Sequence, residues 1–153
     1  MKPVVYVETS IPSFYYEVRT DADMVARRQW TRRWWAGAQD ETELVTSAAV
    51  LEELEAGDYP SRGASLDLMA TLPPLAVDVP VRDIVETYVS HHVMPKDRKG
   101  DALHLALASF HRCDFLVTWN CQQVRPYSPG EHVARCPRAV ARDAARATGG
   151  ERR

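Results

Sequence analysis

Short apolar runs recur along this chain, separated by long stretches with helical character: PVVYV at residues 3–7, ELVT at 43–46, LAVDV at 75–79 and DFLVT at 114–118. Each has strand length, is rich in β-branched or bulky apolar side chains, and is bounded by polar or turn-forming residues. The segments between them read as helices. Asp21 to Gln39 carries a plausible cap at Asp21 and Gly37 near its end. Ser47 caps AAVLEELEAG, which Gly57 closes as a C-terminal glycine. Residues 61–72 look helical and stop at Pro73-Pro74, Pro80 opens VRDIVETYVSHHV, and DALHLALASFHR is strongly apolar. Strands alternating with helices predict an α/β domain with a mostly parallel central sheet of about four strands. In such sheets ligands gather outside the carboxyl ends of the strands.

Composition narrows the class without choosing within it. A chain of 153 residues, 45% apolar and 26% charged, can bury a core without staples. No apolar run approaches the ~20 residues that span a bilayer, so no membrane association is expected. Lys2 followed at once by a strand predicts no signal peptide. Cys113, Cys121 and Cys136 are an odd, sparse set, which suits a reducing cytoplasm better than a disulfide framework. No Cys-x2-Cys or His-x3-His pair exists, which sets a zinc site aside, and neither a glycine-rich phosphate loop nor a Gly-x-Ser-x-Gly elbow is present.

A net charge of −2 gives no domain-wide basic field, yet the basic residues are clustered. Arg27, Arg28, Arg32 and Arg33 intermingle with Trp30, Trp34 and Trp35; Lys96, Arg98 and Lys99 form a second knot; arginines from Arg125 onward form a third. Such patches beside an acidic site suit contacts to a phosphate backbone, while a solvated helix face is the ordinary explanation for any one of them. The tryptophans are candidates for a partner contact and equally for core packing of their helix.

The acidic residues carry more information. Glu8 ends the first strand, followed by Thr9 and Ser10. Glu52 and Glu53 sit on the helix after the second strand, among Val50, Leu51 and Leu54; being ~100° apart, they cannot point the same way. Asp101 opens the late helix, where the helix dipole alone would favour it, with His104 one turn on along the same face. Asn120 follows the last strand. Singly, each has an ordinary structural explanation, and His104 alone reads as a satisfied, partly buried histidine. Together they put several oxygen donors at one strand-end cleft, as a hard cation such as Mg²⁺ or Mn²⁺ requires.

Four segments in this order, VYVETSI, SAAVLEEL, DALHLALA and FLVTWNC, make the chain resemble a PIN domain, and within that family the VapC-type toxin ribonucleases, over residues 4–121. The first acid is Glu8 where the family usually has Asp, as in a branch that reads Tyr-x-Glu-Thr-Ser. The resemblance implies a PIN-like three-layer α/β/α sandwich over residues 1–124. It further implies a Mg²⁺- or Mn²⁺-dependent endoribonuclease, the toxin of a type II toxin–antitoxin pair. Glu8, Glu53 and Asp101 would hold the metal, with Thr9 and Asn120 as supporting catalytic residues; the spacing from Ser47 and the following Leu54 favours Glu53 over Glu52. Lys96, Arg98 and Lys99 would hold RNA, and a cognate antitoxin and a homodimer would be the protein partners.

Residues 125–153 shift to Arg, Ala and Pro, with little strand character and an alanine-rich stretch at 138–147 that could be helical. No acid follows Asn120 until Glu131. Both departures leave a second reading open, that of a catalytically degenerate RNA-binding or partner-binding module.

Overall fold

Residues 1–90, 99–120 and 133–135 are described by the structure, a computed structural model; the side chains at 88, 89, 99–101 and 133–135 lie outside the described set. Strand β1 (Val4–Val7) is followed by a six-residue helix, α1 (Ser10–Tyr15). The sequence reading placed no element between the first strand and Asp21. Pro12 is compatible with α1 because it falls in the first turn, where its missing N–H would have had no helical partner. Helix α2 (Ala22–Glu41) buries Thr31, Trp35 and Ala38, spaced to share one face, and exposes the opposite one. It runs past Gly37, where an added Cβ would meet nothing within 4 Å, and Asp21 stands at its N-cap position without a side-chain capping bond.

Strand β2 (Glu43–Ser47) leads into α3 (Ala48–Ala56), and Ser47 caps α3 by accepting the Val50 N–H. Gly57 stands at its C-cap in extended backbone, φ −73°, and not in the left-handed conformation expected of a C-terminal glycine. Space explains it instead: a Cβ there would lie 2.6 Å from the Tyr59 ring. After α4 (Arg62–Ala70), β3 is only Pro74–Leu75, and the rest of LAVDV does not extend it. Two prolines lacking N–H donors confine this strand to an edge. Helices α5 (Val79–Ser90) and α6 (Lys99–Phe110) precede β4 (Phe115–Val117), reached through Arg112 at φ 56°.

Four strands run parallel in the order β3-β2-β1-β4. A fifth, β5 (Val133–Arg135), pairs antiparallel with β4 at the far edge. The sequence reading found no strand in this C-terminal segment; three residues are too few to display an alternation, and main-chain pairing to β4 defines β5. The stretch at 138–147 lies outside the described residues. Helix α1 packs on α2 and α4, α3 packs on α4, and α5 packs on α6. Right-handed crossovers from β1 to β2 and from β2 to β3 place the first group on one face of the sheet, and the return from β3 to β4 places α5 and α6 on the other. The result is the three-layer α/β/α arrangement.

The core runs through both layers, with Tyr6, Val7, Val50, Leu54, Met69, Val81 and Leu107 buried. The three tryptophans of α2 divide: Trp35 is 4% exposed in the core, Trp34 packs at its border, and Trp30 is 52% exposed. Cys113 is also buried, which pushes its thiol up to about 11. Among the described residues no helix is long and apolar enough to cross a membrane.

Candidate active site

The connection from β1 leads to one side of the sheet and the connection into β4 arrives from the other, so strand order reverses between these neighbours. Outside their carboxyl ends such a sheet opens a crevice. Val7 pairs with Val117, which brings the next residues, Glu8 and Thr118, to this crevice together.

Glu8 is 5% exposed. Its Oε1 accepts the Ser10 backbone N–H at 3.0 Å and the Ser10 hydroxyl, and the Thr118 hydroxyl is close enough to favour its charged form. Burial raises its carboxyl above the ordinary value; the Ser10 hydroxyl, the nearby His104, the Thr118 hydroxyl and the Ser10 N–H all act in the opposite direction without overcoming it. A carboxylate kept this dry without a cationic side chain bonded to it is a group whose charged form is in deficit.

Glu53, on α3, is tied to the residue that follows Glu8. Thr9 donates to Glu53 Oε2 at 2.6 Å, and His104 Nε2 lies 3.0 Å from Oε1. The side chain is 40% exposed. Partial burial pushes Glu53 up, but the bond and charge of His104 together with the Thr9 hydroxyl outweigh it and leave the carboxyl below its ordinary value. Glu52, the adjacent candidate, is also exposed and makes no side-chain hydrogen bond among the described residues.

Behind Glu53 runs a buried chain of hydrogen bonds. His104, 3% exposed, has its Nδ1 2.8 Å from the Tyr6 hydroxyl, which is 2.8 Å from Ser47 Oγ. The Ser47 oxygen accepts the Val50 N–H, so its own hydroxyl is free to donate to Tyr6. With a proton on His104 Nε2 the whole chain then runs one way: Ser47 donates to Tyr6, Tyr6 to Nδ1, and Nε2 to Glu53. Burial holds the Tyr6 phenol well above its ordinary value, so it stays a donor.

The described structure thus gathers Glu8, Thr9 and Glu53, and adds Tyr6, Ser10, Ser47, His104 and Thr118, to which the sequence reading gave no catalytic or binding role. Tyr6 had a visible signal, a hydroxyl buried in a run of valines; His104 shared a face with Asp101. Asp101 itself lies in the first turn of α6, one turn before His104, and its side chain is outside the described set. Asn120 is exposed, donates its backbone N–H to Thr118 Oγ1 at 2.9 Å, and makes no side-chain hydrogen bond among the described residues. The polar side chain near Glu8 at the end of β4 is therefore that of Thr118, the residue after the strand. Lys96 and Arg98, and the side chain of Lys99, lie outside the described set.

Among the described residues no three His, Cys, Asp or Glu side chains are grouped to hold a metal ion. Two carboxylates supply hard oxygen donors of the type Mg²⁺ or Mn²⁺ prefers, and the buried Glu8 is the donor whose charge a cation would offset. That donor set fits a divalent cation provided a third oxygen comes from a side chain such as Asp101. Comparison with protein-family models, with curated proteins and with solved structures gives no significant match.

Proposed function

We propose that the chain is a divalent-cation-dependent endoribonuclease, the toxin of a type II toxin–antitoxin pair, as its resemblance to the PIN family implies. One observation carries the reading furthest: a buried carboxylate, Glu8, at the strand-order reversal, with Glu53 of α3 bonded to Thr9, the residue after Glu8, and to His104. Glu8, Glu53 and Asp101 would hold one Mg²⁺ or Mn²⁺. When bound, such a cation lowers the pKa of a water and offsets charge on the scissile phosphate.

The chain's own residues would do the rest. Ser10 orients the Glu8 carboxylate through its backbone N–H and its hydroxyl, both directed at Oε1. His104 fixes the rotation of Glu53, and Tyr6 fixes His104. Thr9 is already committed to Glu53, which makes it a positioning residue and leaves substrate contact to others. Lys96, Arg98 and Lys99 would bind the RNA backbone, and an antitoxin would cover the crevice; a homodimer is part of the same proposal.

A specific observation favours the second reading, a degenerate RNA- or partner-binding module: both oxygens of Glu53 are engaged inside the protein, and the exposed Asn120 makes no side-chain hydrogen bond among the described residues. Calorimetric titration of Mn²⁺ into wild type, Glu8→Gln and Asp101→Asn, followed by incubation of each with RNA, separates the two. The nuclease reading expects binding and cleavage in the wild type and loss of both in the variants. Wild type that takes up no Mn²⁺ at millimolar concentration and cleaves nothing, yet retains RNA with or without Glu8, would establish the binding module.

A further inference from the structure

The hydrogen bonds behind Glu53 close on themselves. Ser47 stands at the N-cap of α3, the helix that carries Glu53, and its oxygen accepts the Val50 N–H. From Ser47 the path crosses to Tyr6 on β1, then to His104 on α6, and returns to α3 at Glu53. Tyr6 is 0% exposed and lies on the central strand, paired with Val45 on one side and Leu116 on the other. Its ring also leans on that of His104, the centroids 5.8 Å apart. Helix α3 packs mainly on α4 and helix α6 mainly on α5, so side chains at the strand ends join the two layers here.

The ring of bonds acts on the one member that solvent reaches. A glutamate side chain that is 40% exposed ordinarily keeps much of its rotamer freedom. His104, 3% exposed and held through Nδ1, presents Nε2 to Oε1 from a fixed place, while Thr9 holds Oε2. These bonds hold Glu53 without filling it. An ionised carboxylate has about four lone-pair sites on its two oxygens, and among the described residues each Glu53 oxygen accepts one bond. Each oxygen keeps a lone pair, and a ligand meets a side chain that is already ordered.

We infer that Tyr6 and His104 are positioning residues for Glu53, and that the bonds on its two oxygens ready it for a divalent cation and do not block it. The inference rests on the cation-binding part of the reading above. It gives buried residues control over how tightly a cation is held, and they act in series, Tyr6 through His104.

The test is the affinity for Mn²⁺, measured by calorimetry on the full chain, beside thermal melting in EDTA. His104→Gln can place an amide nitrogen where Nε2 stands; His104→Asn, a methylene shorter, reaches Tyr6 but not Glu53. His104→Asn is expected to lose about 10- to 100-fold in Mn²⁺ affinity, as removal of a partner behind a ligand does, and His104→Gln to keep most of it. Tyr6→Phe should weaken Mn²⁺ binding in the wild-type background and add nothing in His104→Asn, as residues acting in series require. Met69→Ala, equally buried but on α4 and outside the ring of bonds, should melt earlier and bind Mn²⁺ as the wild type does. Tighter Mn²⁺ binding by His104→Asn would show that the bond is a lock and overturn the inference. Equal affinity in the wild type and both His104 variants overturns it as well, and either result leaves cation binding by the wild type standing. Equal losses in His104→Gln, His104→Asn and Met69→Ala would reduce the ring to a structural role and likewise overturn it. If His104→Asn does not fold, Tyr6→Phe decides alone, weaker binding supporting the inference and unchanged binding overturning it. Wild type that takes up no Mn²⁺ at millimolar concentration removes the cation reading and the inference with it. Mn²⁺ binding in the expected order without RNA cleavage keeps the inference and removes the nuclease.

Discussion

Burying a carboxylate as Glu8 is buried sets folding against charge. Its carboxyl is raised above the ordinary 4.5 by burial, so between 4.5 and the raised value the folded chain keeps a proton that the unfolded chain has lost. Stability therefore falls as pH rises through that window, and at neutral pH Glu8 opposes folding. Glu8→Gln is expected to melt above the wild type at neutral pH in EDTA, at ~2–4 °C per kcal/mol relieved for a chain of this size, with the two curves meeting below pH 4.5. Millimolar Mn²⁺ should narrow the gap by raising the wild type alone. Glu53 has the opposite sign: lowered in the fold, it contributes stability above its ordinary 4.5 that is lost as pH falls. Tyr6→Phe removes the hydroxyl between Ser47 and His104 and leaves a buried ring nitrogen unpaired; urea denaturation should show a loss of about 1–3 kcal/mol. Glu8 and Glu53 could be picked out from sequence because strand ends and helix faces are local patterns. Tyr6 and His104 are 98 positions apart, and no local pattern records which distant side chain completes a hydrogen bond.

Elements were legible where a local pattern marks them. The strands β1, β2 and β4 and the helices from α2 to α6 all announce themselves by apolar periodicity, by Ser47 as a cap and by prolines at their ends. Those that escaped, α1 and β5, were set by neighbours, α1 by the strand end it leaves and β5 by pairing to β4, while β3 was foreseen in LAVDV but is cut to Pro74–Leu75, the part that pairs with β2. Gly57 shows how a correct signal can have the wrong cause. It does mark the end of α3, but because Tyr59 folds back over it and not because the backbone turns left-handed. Gly57→Ala should accordingly cost on the order of 1 kcal/mol by thermal melting, and the cost should vanish in a Tyr59→Ala background, a coupling that a purely conformational glycine would not give.

At the scale of the whole molecule, the order β3-β2-β1-β4-β5 puts the first strand of the chain in the middle of the sheet. Val5 pairs on one side with Leu44 and on the other with Phe115, so β1 is not enclosed until β4 is in place. A chain ending at Phe110 is expected to lack cooperative unfolding by calorimetry, since it leaves one flank of β1 bare and Tyr6 in an open-edged sheet. The same order governs what happens during synthesis on the ribosome. Residues at positions 8, 53, 104 and 118 must all have emerged before the crevice exists, and the strand that carries the last of them is nearly the last made. A nascent chain thus holds its acidic residues apart until β4 has been made and has emerged, and a protein that cuts RNA would have no assembled crevice before then.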